Sequence, residues 1–216
     1  MKTDKLERIS NVIRKGAFIE ALSGALAIIL TTLGLLHLAS TNLVSVATIA
    51  LGIGIFLQGT AIATEYSNLN EFVDEKNFKR FNLGTGLSFE ILAGGIVFAL
   101  GILAMGFAPI NIFTPIASIV LGMAITLSSR TLLKIDDFKT LISESGMPVD
   151  SFARETIDAT FGIQIVIGLA AITLGVLSLD GISTLLLTTI AFLSLGFSIL
   201  LNGLAISGRL SGATSH

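Results

Sequence analysis

Residues 43–63, LVSVATIALGIGIFLQGTAIA, form a 21-residue stretch without a formal charge. A helix rises about 1.5 Å per residue, so roughly 20 apolar residues cross the 30 Å hydrocarbon core of a bilayer. The alternation of apolar and polar residues that a membrane β-strand needs is absent. The stretch therefore predicts a membrane-spanning helix and assigns the chain to the all-α integral membrane class.

The composition of the whole chain agrees with this class. Of its 216 residues, 52% are hydrophobic and 13% are charged, about half the charged fraction of a typical soluble domain. The chain contains six apolar segments of about this length, including the one quoted above. They cover residues 17–38, 43–64, 83–106, 110–129, 159–179 and 182–206.

The connections between these segments alternate between short and long, which predicts three helical hairpins in a single membrane domain covering residues 1–216. The hairpins are residues 17–64, 83–129 and 159–206. The segments outside them are the lead-in 1–16, the connections 65–82 and 130–158, and the tail 207–216.

The basic residues predict the orientation of the hairpins. All 13 Lys and Arg lie in the lead-in, the two long connections or the tail, and none lies in the three short connections. Because basic residues remain on the cytoplasmic side, both termini and both long connections are expected there. The sequence thus predicts a multi-pass protein of the plasma (inner) membrane, in contact with the lipid bilayer.

The three hairpins align with one another at offsets of 70 and 74 residues. The offsets superpose Glu20, Glu90 and Gln164 in the first helices. They also superpose glycines in both helices of each hairpin, which are expected at helix contacts because small residues let backbones approach closely. These glycines are Gly24, Gly94 and Gly168, followed by Gly52, Gly122 and Gly196. The repeat predicts a six-helix bundle with pseudo-threefold symmetry.

The second helices contribute Gln58, Ser128 and Asn202 at the same offsets. Counted from the hairpin tips, these and the Glu/Glu/Gln set should form one polar ring, roughly 5–10 Å inside the cytoplasmic boundary from the rise of a helix. Ionisable residues inside a membrane are costly and often mark ion or proton pathways. One hypothesis is therefore a site that binds or passes protons, ions or a small solute.

The alternative hypothesis is structural. Protonated Glu20 would bond to Gln58, Glu90 to Ser128, and Gln164 to Asn202, with each bond fixing helix register. Glutamine in the third copy favours hydrogen bonding over charge as the shared requirement. The protein would then be a non-transporting structural or accessory subunit, either as a homo-oligomer or within a larger membrane complex.

Other functions find little support in the sequence. There is no cysteine, and the two histidines, His37 and His216, stand apart from other candidate ligands, so we expect no metal site and no cofactor. Ser, His and Asp are not gathered as a hydrolase needs, so the chain is not expected to be an enzyme. No basic run indicates nucleic acid binding. In the connections, residues 70–81 suggest a helix at the membrane surface, and Gly146 and Pro148 predict a break before a helix capped by Asp150 or Ser151.

The hairpin pattern resembles that of the HdeD-type acid-resistance proteins. The resemblance lies in GALAIILTTLGLLHLASTNLVSVATIALGIGIFLQGTAIA (24–63), with echoes in residues 101–129 and 175–203. It rests on glycines, leucines and their spacing. The proline usual before the tip in that family is missing from the first and third hairpins, while the second has Pro109 and Pro115. The resemblance implies a stress-related inner-membrane protein of six spans and supplies no catalytic residues.

Overall fold

A computed structural model describes residues 2–36, 40–70, 84–106, 110–143, 151–181 and 183–212. All regular structure in this part of the chain is helical. The six helices, in chain order, are α1 (Lys2–Leu35), α2 (Ser40–Asn70), α3 (Gly84–Gly106), α4 (Ile110–Ser143), α5 (Ser151–Leu179) and α6 (Thr184–Gly212).

Each helix contains a segment long and apolar enough to cross a membrane. These segments are Lys15–Leu35, Asn42–Thr60, Phe89–Gly106, Asn111–Ser129, Gly162–Leu179 and Thr184–Leu204. They lie within a few residues of the six segments predicted from the sequence. The predicted all-helical class with six spans, as in a multi-pass membrane protein, is confirmed at this level.

Several helices extend beyond their apolar segments, either into the connections between hairpins or into the N-terminal lead-in. α2 extends to Asn70 and α4 to Ser143, while α1 begins at Lys2. α5 begins at Ser151, and Asp150, the other predicted cap position, lies outside the described residues. The break predicted at Gly146 and Pro148, and most of the surface helix predicted for residues 70–81, lie outside the described residues.

The helices form a closed ring in chain order. Consecutive helices pack side by side, and α6 returns to pack along α1. The most extensive contacts are those of α1 with α6 and of α2 with α3, both of which join helices of different hairpins. The even-numbered helices α2, α4 and α6 also contact one another across the ring, whereas the odd-numbered helices lie further out.

A buried stripe on each even-numbered helix forms the centre of the bundle. On α2 it includes Val44, Thr48, Leu51 and Ile55, all nearly inaccessible to solvent. Alternating steps of three and four residues keep such a stripe on one face of a helix. The sequence-aligned leucines and isoleucines on α4 and α6 belong to the same buried cluster: Leu121, Leu195, Ile125 and Ile199. The leucines and isoleucines of this buried cluster lie between the polar positions and the hairpin tips.

The six aligned glycines lie where helices approach most closely. A Cβ at Gly24 would come within 2.6 Å of the Gly196 carbonyl oxygen, joining α1 to α6. A Cβ at Gly52 would lie 2.5 Å from the backbone nitrogen of Phe98, and one at Gly94 would lie 2.5 Å from that of Phe56, both between α2 and α3. Between α4 and α5, a Cβ at Gly122 would lie 2.5 Å from the Gly168 oxygen. All three contacts link one hairpin to the next around the ring.

Candidate functional site

One cavity brings together all six polar positions identified in the sequence. It is lined by Glu20, Gln58, Glu90, Ser128, Gln164 and Asn202, together with Ile55, Ala124, Ile125, Ser198 and Ile199. The volume open to the centre of a water molecule is about 20 Å³. Since a single water needs about 10–15 Å³ by this measure, the cavity holds a water-sized particle and little more.

Glu90 enters the cavity from α3 and bonds within its own hairpin. The Ser128 hydroxyl on α4 donates to Glu90 Oε1 over 2.7 Å. The short distance is typical of a hydroxyl that donates to a carboxyl oxygen. Glu90 is 8% exposed, so the bond lies away from bulk solvent.

Glu20 enters from α1 and bonds across the point where the ring closes. Asn202 Nδ2 on α6 donates to Glu20 Oε1 over 2.8 Å. The second carboxyl oxygen, Oε2, is buried and has no hydrogen-bond partner among the described residues. The whole residue is only 1% exposed, which makes Glu20 one of the most deeply buried side chains in the described part of the protein.

Gln164 enters from α5 and accepts a bond from a residue that the sequence analysis did not select. Ser129 Oγ on α4 donates to Gln164 Oε1 over 3.1 Å and also lies 2.8 Å from the Ile125 carbonyl oxygen. Ser129 occupies the position that aligns with Gly59 and Gly203 in the other hairpins. The hydroxyl is thus specific to the second hairpin.

Of the three pairings expected under the structural hypothesis, the bonds among the described residues include only Glu90 with Ser128. Glu20 bonds to Asn202 instead of Gln58, because the glycine contacts between α1 and α6 bring these two helices together. Gln164 bonds to Ser129 instead of Asn202, because α5 packs most closely on α4 at Gly122 and Gly168. Both expected pairings were wrong for the same reason: the closest approach is to a neighbouring hairpin.

Ser198 is the functional candidate that sequence reasoning missed. It lines the cavity from α6, is 2% exposed, and its hydroxyl oxygen has no hydrogen-bond partner among the described residues. The offsets align it with Gly54 and Ala124, so the alignment contained no shared polar signal there. Its position one turn from Asn202 on the same face of α6 could have indicated a polar pair.

The cavity therefore combines two carboxyl groups with neutral oxygen- and nitrogen-bearing side chains, closed on one side by isoleucines. None of its described lining residues is Lys, Arg or His. Taking a carboxylate out of water without a compensating charge costs several kcal/mol or more. Each of the two carboxyl groups is therefore expected either to carry a proton or to be balanced by a bound cation.

Comparisons with known proteins identified no relative of this chain. No protein family model, no curated protein and no solved structure matches the chain. The cavity and its two glutamates are therefore interpreted from their own geometry.

Proposed function

We propose that this multi-pass membrane protein is a non-enzymatic protein that binds, and passes across part of the membrane, a proton or a small cation at the cavity between its helices. The observation that carries the proposal is the meeting of Glu20 and Glu90, from two different hairpins, at one buried cavity without a basic lining residue among those described. Buried carboxyl groups without a basic partner are a recurrent feature of ion and proton pathways in membranes.

The size of the cavity narrows the class of ligand. The sequence analysis allowed a proton, an ion or a small solute as the ligand. A volume of about 20 Å³ accommodates one water or one monatomic ion, whereas an organic solute needs far more room. The geometry therefore favours a proton or a monatomic cation.

The arrangement of the hairpins is part of the proposal. We infer three copies of one hairpin around a pseudo-threefold axis, and the repeated glycine contacts from one hairpin to the next support this arrangement. The distribution of the 13 basic residues supports cytoplasmic termini in the plasma (inner) membrane. In this orientation the cavity faces the cytoplasmic side, and the leucine and isoleucine layers separate it from the outside.

A stress-related role is proposed on the resemblance to HdeD-type proteins alone. That resemblance lies in the leucine and glycine spacing of the hairpins, and it covers most of the membrane segments. Assembly with further copies of the chain, or with another membrane protein, is an additional proposal that the role of an accessory subunit would require.

The second candidate function is structural, and specific contacts favour it. Three hydrogen bonds join cavity residues to side chains of adjacent helices, namely Ser128 to Glu90, Ser129 to Gln164 and Asn202 to Glu20. Such bonds contribute about 0.6 kcal/mol on average in membranes and fix how helices meet. In this alternative the cavity binds nothing of functional importance.

Reconstitution into vesicles separates the two candidates. Glu90→Gln keeps an acceptor for Ser128 and resembles the natural Gln164, so folding should be retained. Under the transport proposal this change abolishes the flux of protons or cations, because an amide cannot exchange a proton or hold a cation by charge. Wild-type vesicles without flux above empty liposomes, across several ions and pH gradients, would overturn the transport proposal and leave the structural one.

A further inference from the structure

Ser198 departs from the usual behaviour of hydroxyl groups in this bundle. Many of the described Ser and Thr side chains donate to a backbone carbonyl three or four residues earlier, as Thr31 does to Ala27 and Ser194 does to Ile190. This local bond is the usual way to satisfy a hydroxyl inside an apolar helix bundle. Ser198 makes no such bond although it is almost completely buried.

Glu20 Oε2 is the second buried oxygen in the same situation. Asn202 satisfies Glu20 Oε1, and Oε2 has no partner among the described residues. Glu20 and Ser198 both line the cavity, and Ser198 lies one turn from Asn202 on α6. Since each of the two oxygens lacks a hydrogen-bond partner, they are also not bonded to each other. One particle bound in the cavity in contact with both oxygens would satisfy both.

We propose that Glu20 Oε2 and Ser198 Oγ are two ligands of one small monovalent cation of the sodium class, bound in the cavity. This inference rests on the proposed function and deepens it by naming the ion class and the ligands. Gln58 and Asn202 line the same cavity, and in this proposal their amide oxygens complete the coordination. Carboxylate, hydroxyl and amide oxygens are hard ligands, which bind hard cations in preference to soft transition metals.

Charge and space favour a monovalent ion over a divalent one. With Glu90 protonated, the Glu20 carboxylate and one monovalent cation form a neutral pair, which lowers the cost of burying either charge. Mg²⁺ retains several bound waters, and a cavity with about 20 Å³ open to water centres does not accommodate them. Within the described ranges, no three His, Cys, Asp or Glu side chains are grouped as a metal site with more charged ligands would need.

The test is the thermal unfolding of the purified full-length chain in detergent, with NaCl compared with choline chloride at equal ionic strength. Sodium should raise the unfolding midpoint of the wild type, and at 100 times its Kd it should raise the folded-to-unfolded ratio about 100-fold. Ser198→Ala and Glu20→Gln should lose this increase. Ser194→Ala is the matched control, because Ser194 lies one turn away on α6, does not line the cavity and bonds to Ile190.

Two results would overturn the site. One is a wild-type midpoint that does not differ between sodium and choline. The other is a sodium response that persists in both Ser198→Ala and Glu20→Gln. A response to Mg²⁺ or Ca²⁺ in place of sodium would contradict the monovalent assignment. If Glu20→Gln fails to fold, Ser198→Ala decides the question alone, since it removes only a hydroxyl group.

The same proteins in vesicles distinguish this inference from the proposed function. Proton flux that is measured in sodium-free buffer and lost in Glu90→Gln would leave the proposed function standing, even when sodium has no effect on unfolding. Absence of both flux and sodium response would remove both proposals. A sodium response without flux would support the ion site and contradict passage across the membrane.

Discussion

Asn202 donates a hydrogen bond over 2.8 Å to Glu20, a residue 182 positions earlier in the chain. The bond joins the last helix to the first at the level of the cavity. Like the bond from Ser128 to Glu90, it joins two cavity residues across helices, and it leaves Glu20 Oε2 without a partner among the described residues. The closure of the ring and the candidate ligand site therefore depend on the same pair of side chains.

Replacing Asn202 should destabilise the bundle through Glu20. In Asn202→Leu the carboxyl group loses its one described donor, and an unsatisfied buried polar group costs about 1–3 kcal/mol. The double variant Asn202→Leu with Glu20→Leu should recover part of this loss, because both polar partners are then absent. A double-mutant cycle on reversible unfolding in bicelles measures the coupling. Strictly additive effects of the two changes would contradict a direct interaction.

Enlarging a contact glycine should weaken the packing of neighbouring hairpins. Gly122→Ala places a methyl group about 2.5 Å from the Gly168 oxygen, so α4 and α5 must separate, at a cost of about 1–3 kcal/mol. The matched control is Gly162→Ala, since nothing lies within 4 Å of a Cβ there. That change should be neutral or stabilising by up to about 1 kcal/mol. Equal unfolding midpoints for the two variants would show that the close approach has no energetic importance.

The orientation can be tested with single cysteines because the chain has none of its own. Cysteine at Asn42, Asn111 or Ser183, which are all exposed near the hairpin tips, should react with an impermeant thiol reagent added to intact cells. Cysteine at the exposed position Lys15 should react only after permeabilisation. The opposite pattern would place the termini outside and reverse the side from which the cavity is reached.

The apolar layers between the cavity and the hairpin tips should limit ion passage. Leu51, Leu121 and Leu195 are each fully buried, and apolar constrictions of this kind block ions by excluding water. Leu121→Ala should increase cation flux through reconstituted vesicles relative to the wild type. Met123→Ala serves as the control, because Met123 is 38% exposed on the outer surface of α4. Unchanged flux in Leu121→Ala would show that the layers are not the barrier.

The sequence predicted the helices well because each span is determined locally. A run of apolar residues of bilayer length has few other stable conformations, so the six segments could be located without knowing their neighbours. The same offsets also selected residues that line one cavity: Glu20, Glu90 and Gln164, with the three aligned residues of the second helices. Equal offsets indicate similar depth, and these residues meet because they also lie on helix faces that are buried in the bundle.

The partners of these polar residues could not be predicted in the same way. Alignment at offsets of 70 and 74 relates one hairpin to another, but it does not say on which side each hairpin meets its neighbour. Glu20 bonds to Asn202 because α1 packs on α6, and this packing depends on contacts between residues almost 200 positions apart. Hydroxyl groups add a second uncertainty, because a Ser can bond to its own helix or across the cavity. Ser129 does both, and Ser198 does neither among the described residues.

The packing of α6 along α1 has a consequence for biosynthesis. Helices enter the membrane in chain order, so the surface of α1 that carries Gly24 and Glu20 faces lipid or the insertion machinery until the final helix arrives. A ribosome stalled before residue 184 would leave a five-helix intermediate with an open seam and a carboxyl group at its edge. The burial of Glu20, made early in synthesis, is therefore completed only when α6 has been made and has packed along α1.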